Sequence, residues 1–356
     1  MSMVIGGKRV DKYSQPVIIA EISANHGNSL DVLEQTVRGI AKAGADVVKT
    51  QTYHADTLTS ASHRTLIEGT PWSGRDLYDL YLEGQMIWGY NSDVKKMAER
   101  YGLGFLSTAY DPSSADYLIA LGVDAIKVSS FELVDVILLR HLGQAKMPIV
   151  MSTGMAHSWE IDDALGVYFN AGGPACALLR CNSSYPANPS DLNLGIALPL
   201  LSDLVHDVGF SDHTRGVGAA CCAVAYGARI IEKHVCLDGL ETIDSKFSLP
   251  LSQLGGYVSA IRDSFCSSRK WSSPAFGPIG GEVEEVKYRK SLYAACHIPA
   301  GIEIDQTMVV ALRPADGLSP LNLGSLIGSK AAVDILQGNP IRDSDIVWRD
   351  RLCPSV

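Results

Sequence analysis

The sequence has no apolar run long enough to cross a membrane and no dense set of cysteines. No uninterrupted apolar stretch reaches the roughly 18 residues that a membrane helix needs. The eight cysteines among 356 residues include no Cys-x-x-Cys pair, which is typical of reduced, packed thiols rather than of a disulfide framework. The opening segment MSMVIGGKRVDKYSQP also lacks the pattern of a secretion signal. We therefore expect a cytoplasmic protein.

The sequence has few charged residues, and its net charge is negative. Charged residues make up 19% of the chain, the formal net charge is -9, and 46% of the residues are hydrophobic. This composition is typical of a folded protein, and it argues against nucleic acid as a partner because no face is rich in Lys and Arg. It does not exclude anionic substrates, since a single cleft can be basic. The length suggests two domains, or one large barrel with an appendage.

Two nucleotide-binding signatures are missing, Gly-x-Gly-x-x-Gly and the Walker loop. Instead, eight short runs rich in Val, Ile and Leu alternate with helix-compatible segments. They lie at 17–23, 46–52, 104–109, 125–130, 148–154, 176–183, 207–213 and 229–235. Such runs suit buried parallel strands, and eight units in this length predict a (β/α)8 TIM barrel rather than a doubly wound open sheet.

The predicted domains follow from this pattern. Residues 1–268 form the barrel, a Ser/Pro/Gly-rich linker covers 269–288, and residues 289–356 form a small domain of short strands. The connection at 53–90 is long and aromatic, which is typical of a lid or binding loop. Each predicted strand ends in polar residues, and in a barrel these ends meet at one mouth, where active sites form.

Three groups of residues at these strand ends carry candidate chemistry. His213 and His234 end consecutive strands and could share a divalent metal. Each alone is more typical of a hydrogen-bonded core residue, whereas the pair fits either role equally. Lys49, Lys127 and Lys233 could bind a ligand with phosphate and carboxylate groups, or could be neutralised by nearby acidic residues. Glu21, Asn25 and His26 place a carboxylate, an amide and an imidazole together after the first strand, where His26 could act as a base or cap a helix.

Seven segments, in order, resemble the sialic acid synthase (nonulosonate synthase) family: AEISANHG, ADVVKTQTY, IKVSSFE, STGM, SSYP, GFSDHT and IIEKH. The tail segments SLYAACHIPAGIEI, ALRPADGLSP and GSKAAVDILQGNPI resemble its antifreeze-like (SAF) domain. The resemblance covers nearly the whole chain. It implies a phosphoenolpyruvate-condensing TIM barrel followed by a SAF domain, in a domain-swapped homodimer.

The segments GTPWSGRDLYDLY and IDSKFSL are most similar to the pseudaminic acid synthase branch. That likeness implies condensation of phosphoenolpyruvate with a 2,4-diacetamido-2,4,6-trideoxy hexose, giving a nine-carbon 2-keto acid and phosphate. Neuraminate or legionaminate synthesis, from N-acetylmannosamine or a 2,4-diacetamido mannose analogue, is the alternative. A non-catalytic sugar-binding barrel and an aldolase or isomerase are more remote possibilities.

The resemblance also implies roles for individual residues. His213 and His234 would hold the metal, Mn or Mg with Co as a further option, and would be catalytic together with Glu21 and Asp244. The phosphoenolpyruvate contacts would be Lys49, Ser107, Lys127, Ser129, Ser152, Asn182, Ser184 and Ser211. The sugar contacts would be Asn25, Gln51, Tyr185 and Arg313, the last reaching an N-acyl group from the partner subunit. A surface salt bridge is the alternative role for Arg313.

Overall fold

The structure is a computed structural model that describes residues 3–11, 13–268 and 276–349. The chain divides into two compact units, Met1–Arg269 and Lys270–Val356, next to the boundary predicted at 268. Part of the predicted linker, 269–275, lies outside the described residues. The rest of that segment contains a short helix, Glu282–Glu285, and a 3-10 turn, Val286–Tyr288.

Eight parallel strands close into a barrel in the first unit, which confirms the predicted TIM barrel. The strands are β1 (Val17–Glu21), β2 (Val47–Thr52), β3 (Gly104–Ala109), β4 (Ile126–Val128), β5 (Ile149–Ser152), β6 (Cys176–Cys181), β7 (Asp207–Asp212) and β8 (Ile230–Cys236). Each strand pairs with the next, and β8 pairs with both β7 and β1. A two-residue strand, Leu249–Pro250, adds to the outside of β8.

A helix follows each strand. These helices are α1 (Leu30–Ala43), α2 (Gly89–Arg100), α3 (Pro112–Leu121), α4 (Val136–Gln144), α5 (Ser158–Asn170), α6 (Leu194–Leu204), α7 (Gly218–Ala225) and α8 (Leu251–Ser268). Capping follows the sequence: Asp111 accepts from two backbone N–H groups of the first turn of α3. Gly44 ends α1 in the left-handed conformation that glycine adopts without steric cost.

The lower half of the barrel interior is aliphatic. Inward-facing side chains fill it, among them Ile19, Val47, Leu106, Val150, Leu179 and Ile230. The N-terminal hairpin, Val4–Ile5 paired with Lys8–Arg9, adds Met3 and Ile5 to this cluster. A second, larger apolar core lies between the strands and the helices. At the bottom of the barrel the Asp207 carboxylate accepts from the Met3 N–H. The polar inward-facing residues that line the cavity lie at the carboxyl ends of the strands.

The long connection between β2 and α2 contains two helices, Ala55–Leu58 and Leu77–Gly84. The side chain of Arg64 forms ion pairs with Asp76 and Asp79, which ties the loop between the helices to the start of the second one. The Trp88 indole N–H donates to the Tyr53 carbonyl at 3.0 Å. The connection is therefore folded rather than extended.

The second unit is built from short antiparallel pairs. Ser291–Ala294 pairs with Val309–Leu312, and Lys330–Ala331 pairs with Ile346–Val347. A small core contains Leu292, Ile298, Ile304, Leu326, Ile335 and Ile341. Across both units, no described helix has the length and apolarity needed to cross a bilayer, and no disulfide joins the described cysteines.

Candidate active site

A cavity of about 520 Å³ opens at the carboxyl ends of the barrel strands. Its floor is polar and includes Lys49, Lys127, Ser129, Ser152, Ser211, His213, Glu232 and His234. Its upper wall comes largely from the β2–α2 connection and includes Leu58, Ile67, Pro71, Trp72, Leu77 and Leu80. The cavity thus combines a charged floor with an apolar wall.

Two buried lysines provide the positive charge of the floor. The Lys49 ammonium lies 2.6 Å from Glu21 Oε2 and donates to Thr108 Oγ1 at 2.9 Å. Lys127 donates to Ser152 Oγ at 2.7 Å and to the Val128 carbonyl at 2.9 Å. Burial lowers the pKa of Lys127, partly opposed by Glu232. Because no carboxylate of the described residues bonds directly to Lys127, its charge is directed at whatever occupies the cavity.

Two buried glutamates share Lys49: Glu232, which lines the cavity, and Glu21, which does not. Glu232 Oε2 lies 3.9 Å from the Lys49 ammonium, and Glu232 Oε1 accepts from Ser211 at 3.1 Å. Burial raises the pKa of Glu21 to about 7, with Lys49 opposing and the Glu232 charge adding to the rise. Burial also acts against ionisation of Glu232, but Lys49 and Lys127 overcome it and lower its pKa. One proton can therefore be held at this pair near neutral pH.

His213 and His234 face each other across the floor, with ring centroids 5.3 Å apart. His213 Nδ1 lies 2.7 Å from the Asn182 carbonyl oxygen. As the donor, this nitrogen leaves Nε2 with its lone pair available. His234 Nδ1 is buried without a hydrogen-bond partner. Burial, followed by the His213 charge, places the pKa of His234 well below its usual value, so its imidazole stays neutral.

These two imidazoles fit the predicted divalent metal. Burial acts against the charged form of His213, but Cys181 outweighs it and raises the pKa of His213, so this ring must lose its proton to bind a metal. His234 is already neutral, and a ring oriented by a carbonyl at its second nitrogen is the usual arrangement at such sites. The described residues contain no group of three or more His, Cys, Asp or Glu side chains placed to hold a metal. A metal held by His213 and His234 would therefore take its remaining ligands from water or substrate.

A hydrogen-bonded chain borders the cavity on the β1 side. Gln51 donates to Ser23 Oγ at 3.0 Å, and Ser23 donates to Asp244 Oδ2 at 2.5 Å. Burial raises the pKa of Asp244, while the bond from Ser23 opposes this rise. Tyr185 stacks against His213 with 4.2 Å between ring centroids. Gln51 and Tyr185, predicted to contact the sugar, and Asp244, predicted to be catalytic, line the cavity.

Four barrel residues with predicted roles do not line this cavity. One is Glu21, which is fully buried against Lys49. The Ser107 hydroxyl faces away from the barrel interior and bonds to Thr50 and Thr52. Asn25 is buried, donating to the Val235 carbonyl and accepting from Thr242, so it holds loops together. The Asn182 side chain accepts from the Ser184 N–H and lines a neighbouring, separate cavity.

Lys233 and His26 also lie elsewhere. Lys233 pairs with Asp212 Oδ2 at 3.1 Å on the outer face of the barrel wall. It does so because successive strand residues face opposite sides, and its neighbours Glu232 and His234 face inward. His26 Nε2 lies 3.2 Å from the Gly84 carbonyl and does not line the cavity. The expectation that Lys233 binds an anion in the mouth is therefore wrong.

Glu132 is a cavity residue to which the sequence analysis gave no role. Its carboxylate accepts from the Ser129 hydroxyl, and burial raises its pKa to about 7. It follows β4 in the segment IKVSSFE, so its position after a strand end was the available signal. Thr108, one residue beyond Ser107, likewise lines the cavity through its bond to Lys49.

Arg313 belongs to the second unit, where it is exposed just after the strand Val309–Leu312. Its contact with a sugar stays a prediction.

Comparison with known proteins identifies relatives of both units. The NeuB family profile matches residues 36–271, and the SAF domain profile matches 289–347. Pseudaminic acid synthase of Campylobacter jejuni subsp. jejuni serotype O:23/36 (strain 81-176) is 34% identical over 349 residues, covering 96% of this chain and 99% of that protein. N,N'-diacetyllegionaminic acid synthase of Legionella pneumophila subsp. pneumophila is 30% identical, covering 91% and 92%.

A solved structure of a sialic acid synthetase is similar to this chain. The crystal structure of N-acetylneuraminic acid (sialic acid) synthetase from Leptospira borgpetersenii serovar Hardjo-bovis, in complex with citrate, superposes with a TM-score of 0.69 at 25% identity. The match covers 80% of this chain and 95% of that one. The predicted resemblance to sialic acid synthases, with a barrel followed by a SAF domain, is confirmed.

Proposed function

The chain belongs to the NeuB family, and from this premise we propose that it condenses phosphoenolpyruvate with an acylated amino sugar. The products are a nine-carbon 2-keto acid and phosphate. The observation that carries the proposal is the cavity floor, where Lys49 and Lys127 stand beside serine hydroxyls and two imidazoles. A non-catalytic sugar-binding barrel would have no need for two buried ammonium groups at this place, because buried charge is costly.

Phosphoenolpyruvate binds on this floor. Lys127 and Ser152, already joined at 2.7 Å, supply a charged donor and a hydroxyl. Lys49, Ser129, Ser184 and Ser211 also line the cavity and add donors for the phosphate and carboxylate. With the substrate anchored there, C3 attacks the aldehyde carbon of the open-chain sugar, water adds at C2, and phosphate leaves. The lysines hold the negative charge in place throughout.

His213 and His234 hold a divalent metal, with Mn or Mg preferred. When bound, such an ion polarises an oxygen ligand and lowers the pKa of bound water. The Asn182 carbonyl fixes the His213 ring, so this imidazole is oriented in advance. Calorimetric titration of the apo protein with Mn should detect one site in the wild type and none in His213→Ala. Equal Mn binding by that variant would refute the assignment.

Glu21 and Asp244 are the groups placed to move protons. Burial raises the pKa of each carboxyl, which brings protonation closer to neutral pH. Asp244 already accepts from Ser23 and can bind a sugar hydroxyl with its carboxyl group. Glu21 is in contact with Lys49 and reaches the substrates through that ammonium.

The sugar is a 2,4-diacetamido-2,4,6-trideoxy hexose. The apolar wall above the floor supports this choice: Leu58, Ile67, Leu77 and Leu80 offer no hydrogen-bonding side-chain group. A deoxy carbon and acyl methyl groups suit such a wall, whereas a 6-hydroxyl would lose hydrogen bonds to water there. N-acetylmannosamine carries that hydroxyl and is the runner-up. The 34% identity to a pseudaminic acid synthase supports the same choice.

The active form is a cytoplasmic, domain-swapped homodimer. Large apolar side chains are exposed on loops and helix starts at the barrel mouth, including Phe131, Ile137, Met155 and Trp159. An exposed apolar rim of this kind is typical of a surface that another subunit covers. In this assembly Arg313 reaches the sugar bound to the partner.

The test is a substrate panel. Purified protein with phosphoenolpyruvate and Mn or Mg is offered the 2,4-diacetamido-2,4,6-trideoxy sugar, its mannose-configured analogue or N-acetylmannosamine, and released phosphate is measured. Release is expected with the trideoxy sugar at the highest kcat/KM. If no sugar supports phosphate release, the condensing activity is refuted. If N-acetylmannosamine is preferred, the sugar assignment is wrong and the reaction class stands.

A further inference from the structure

Arg180 carries a charge that nothing in the described part of the chain neutralises. It lies at the end of β6 and is half-buried, and its Nε donates to the Leu192 carbonyl at 2.9 Å. No described carboxylate lies within ion-pair distance of its guanidinium. The four remaining N–H groups of the guanidinium are thus available to a ligand.

Arg180 lines a second cavity of about 490 Å³ beside the catalytic one. Asn182, Ser183 and Ser184 line it as well, together with Met155. None of the described lining residues carries a carboxylate. The cavity therefore presents one cation and several neutral polar groups, a combination that favours an oxyanion.

The two cavities share a wall. Cys181, Ser183 and Ser184 line both of them. The Ser183 hydroxyl is buried in this wall without a hydrogen-bond partner. Gly154 packs directly against it, since a Cβ on Gly154 would lie only 2.3 Å from Ser183 Oγ. Ser183 and Gly154 therefore close the wall between the two cavities.

From these observations we propose that the Arg180 cavity is a second oxyanion site, and that its ligand is inorganic phosphate. The inference rests on the proposed function, because the reaction in the neighbouring cavity is what releases phosphate. Arg180 binds the anion by charge-assisted hydrogen bonds, and the side-chain amide N–H groups of Asn182, which lines this cavity and not the catalytic one, contribute donors. Phosphate released in the catalytic cavity can then bind in the neighbouring cavity, on the other side of the shared wall.

Binding of phosphate to the complete protein tests the proposal without turnover. The protein is first saturated with phosphoenolpyruvate, with no sugar present, and inorganic phosphate is then titrated by calorimetry. In the wild type, phosphate should still bind because its site is separate. In Arg180→Gln, its affinity should fall about ten-fold or more, the loss typical of a charged hydrogen bond. Arg180→Lys should keep part of the affinity.

Controls separate this site from the catalytic one. Arg215→Gln removes an exposed arginine after β7 and should bind phosphate like the wild type. Phosphoenolpyruvate affinity and the unfolding temperature should be unchanged in Arg180→Gln, which shows that the variant is folded. Displacement of phosphate by phosphoenolpyruvate in the wild type, or wild-type phosphate affinity in Arg180→Gln, would overturn the second site. Failure of phosphoenolpyruvate itself to bind would instead count against the proposed function.

Discussion

The ammonium of Lys127 donates to the hydroxyl of Ser152 at 2.7 Å, inside the barrel and at the floor of the catalytic cavity. Lys233 is equally buried, but it pairs with Asp212 on the outer face of the wall. Two buried lysines in barrel strands therefore have different roles. One is available to a substrate and the other is neutralised by the protein.

This contrast predicts that two matched substitutions affect different quantities, one the KM for phosphoenolpyruvate and the other the stability of the fold. Lys127→Met should raise the KM for phosphoenolpyruvate about ten- to a hundred-fold, because a charge-assisted hydrogen bond contributes about 1.5–3 kcal/mol. Lys233→Met should instead lower the free energy of unfolding by about 3–5 kcal/mol, because it leaves the Asp212 charge buried and unpaired. Steady-state kinetics and urea unfolding on both variants distinguish the two. A larger change in KM for Lys233→Met than for Lys127→Met would contradict the assignment.

A pH effect on stability is expected from Glu132. Burial raises the pKa of its carboxyl from 4.5 to about 7, so between these values the native state holds a proton that the unfolded state has lost. Stability therefore falls as the pH rises through this window. The loss should be about 1–3 kcal/mol, because the side chain is only partly covered.

Thermal unfolding of the wild type and Glu132→Gln, from pH 4.5 to 8, measures this effect. The Tm of the wild type should fall relative to that of the variant as the pH rises, with the difference levelling off above about pH 7 to 8. Glu284→Gln, on an exposed helix in the second unit, provides a matched control without burial. Parallel Tm curves for the wild type and Glu132→Gln would show that Glu132 ionises as it does in water.

The pattern of apolar runs predicts most of the fold, but it does not show which side of the barrel wall each strand residue faces. Ser107 and Thr108 are adjacent hydroxyl residues at the end of β3, and a buried parallel strand is apolar on both sides, so its sequence lacks the alternation that reveals the inner face. The structure settles the matter through pairing: Thr108 bonds to Lys49 inside, and Ser107 bonds to Thr52 outside. The same one-residue ambiguity explains Lys233.

The contacts of the loops could not be predicted from the sequence for another reason. Asn25 follows β1 in a segment that looks like a site motif, yet its amide bonds to Val235 and Ser248, more than two hundred residues away along the chain. The apolar lining of the cavity also combines residues that are far apart in the sequence, such as Ile67 and Ile243. Periodicity describes local structure, and these partners are brought together only when the barrel closes.

Sugar selectivity should depend on that apolar wall. Ile67→Thr places a hydroxyl in the wall, and the ratio of kcat/KM for the trideoxy sugar to that for N-acetylmannosamine should fall about three- to ten-fold, as a pocket change of about 1 kcal/mol implies. Leu66→Thr is the matched control, because Leu66 is adjacent but largely exposed, and its ratio should stay at the wild-type value. Equal kcat/KM ratios in the wild type, Ile67→Thr and Leu66→Thr would show that the apolar wall does not determine sugar selectivity.

Arg313 is expected to act on the sugar bound by the partner subunit, and mixed dimers can test this. Arg313→Ala should raise the KM for the sugar far more than that for phosphoenolpyruvate, since it leaves the lysine floor intact. His213→Ala should be inactive because a metal ligand is lost. In a dimer that combines the two variants, the barrel of the Arg313→Ala subunit is intact and receives Arg313 from its partner. Random mixing should then restore about a quarter of wild-type activity, since half the dimers are mixed and each has one complete site. Activity no greater than the sum of the separate variants would show that Arg313 does not act across the dimer.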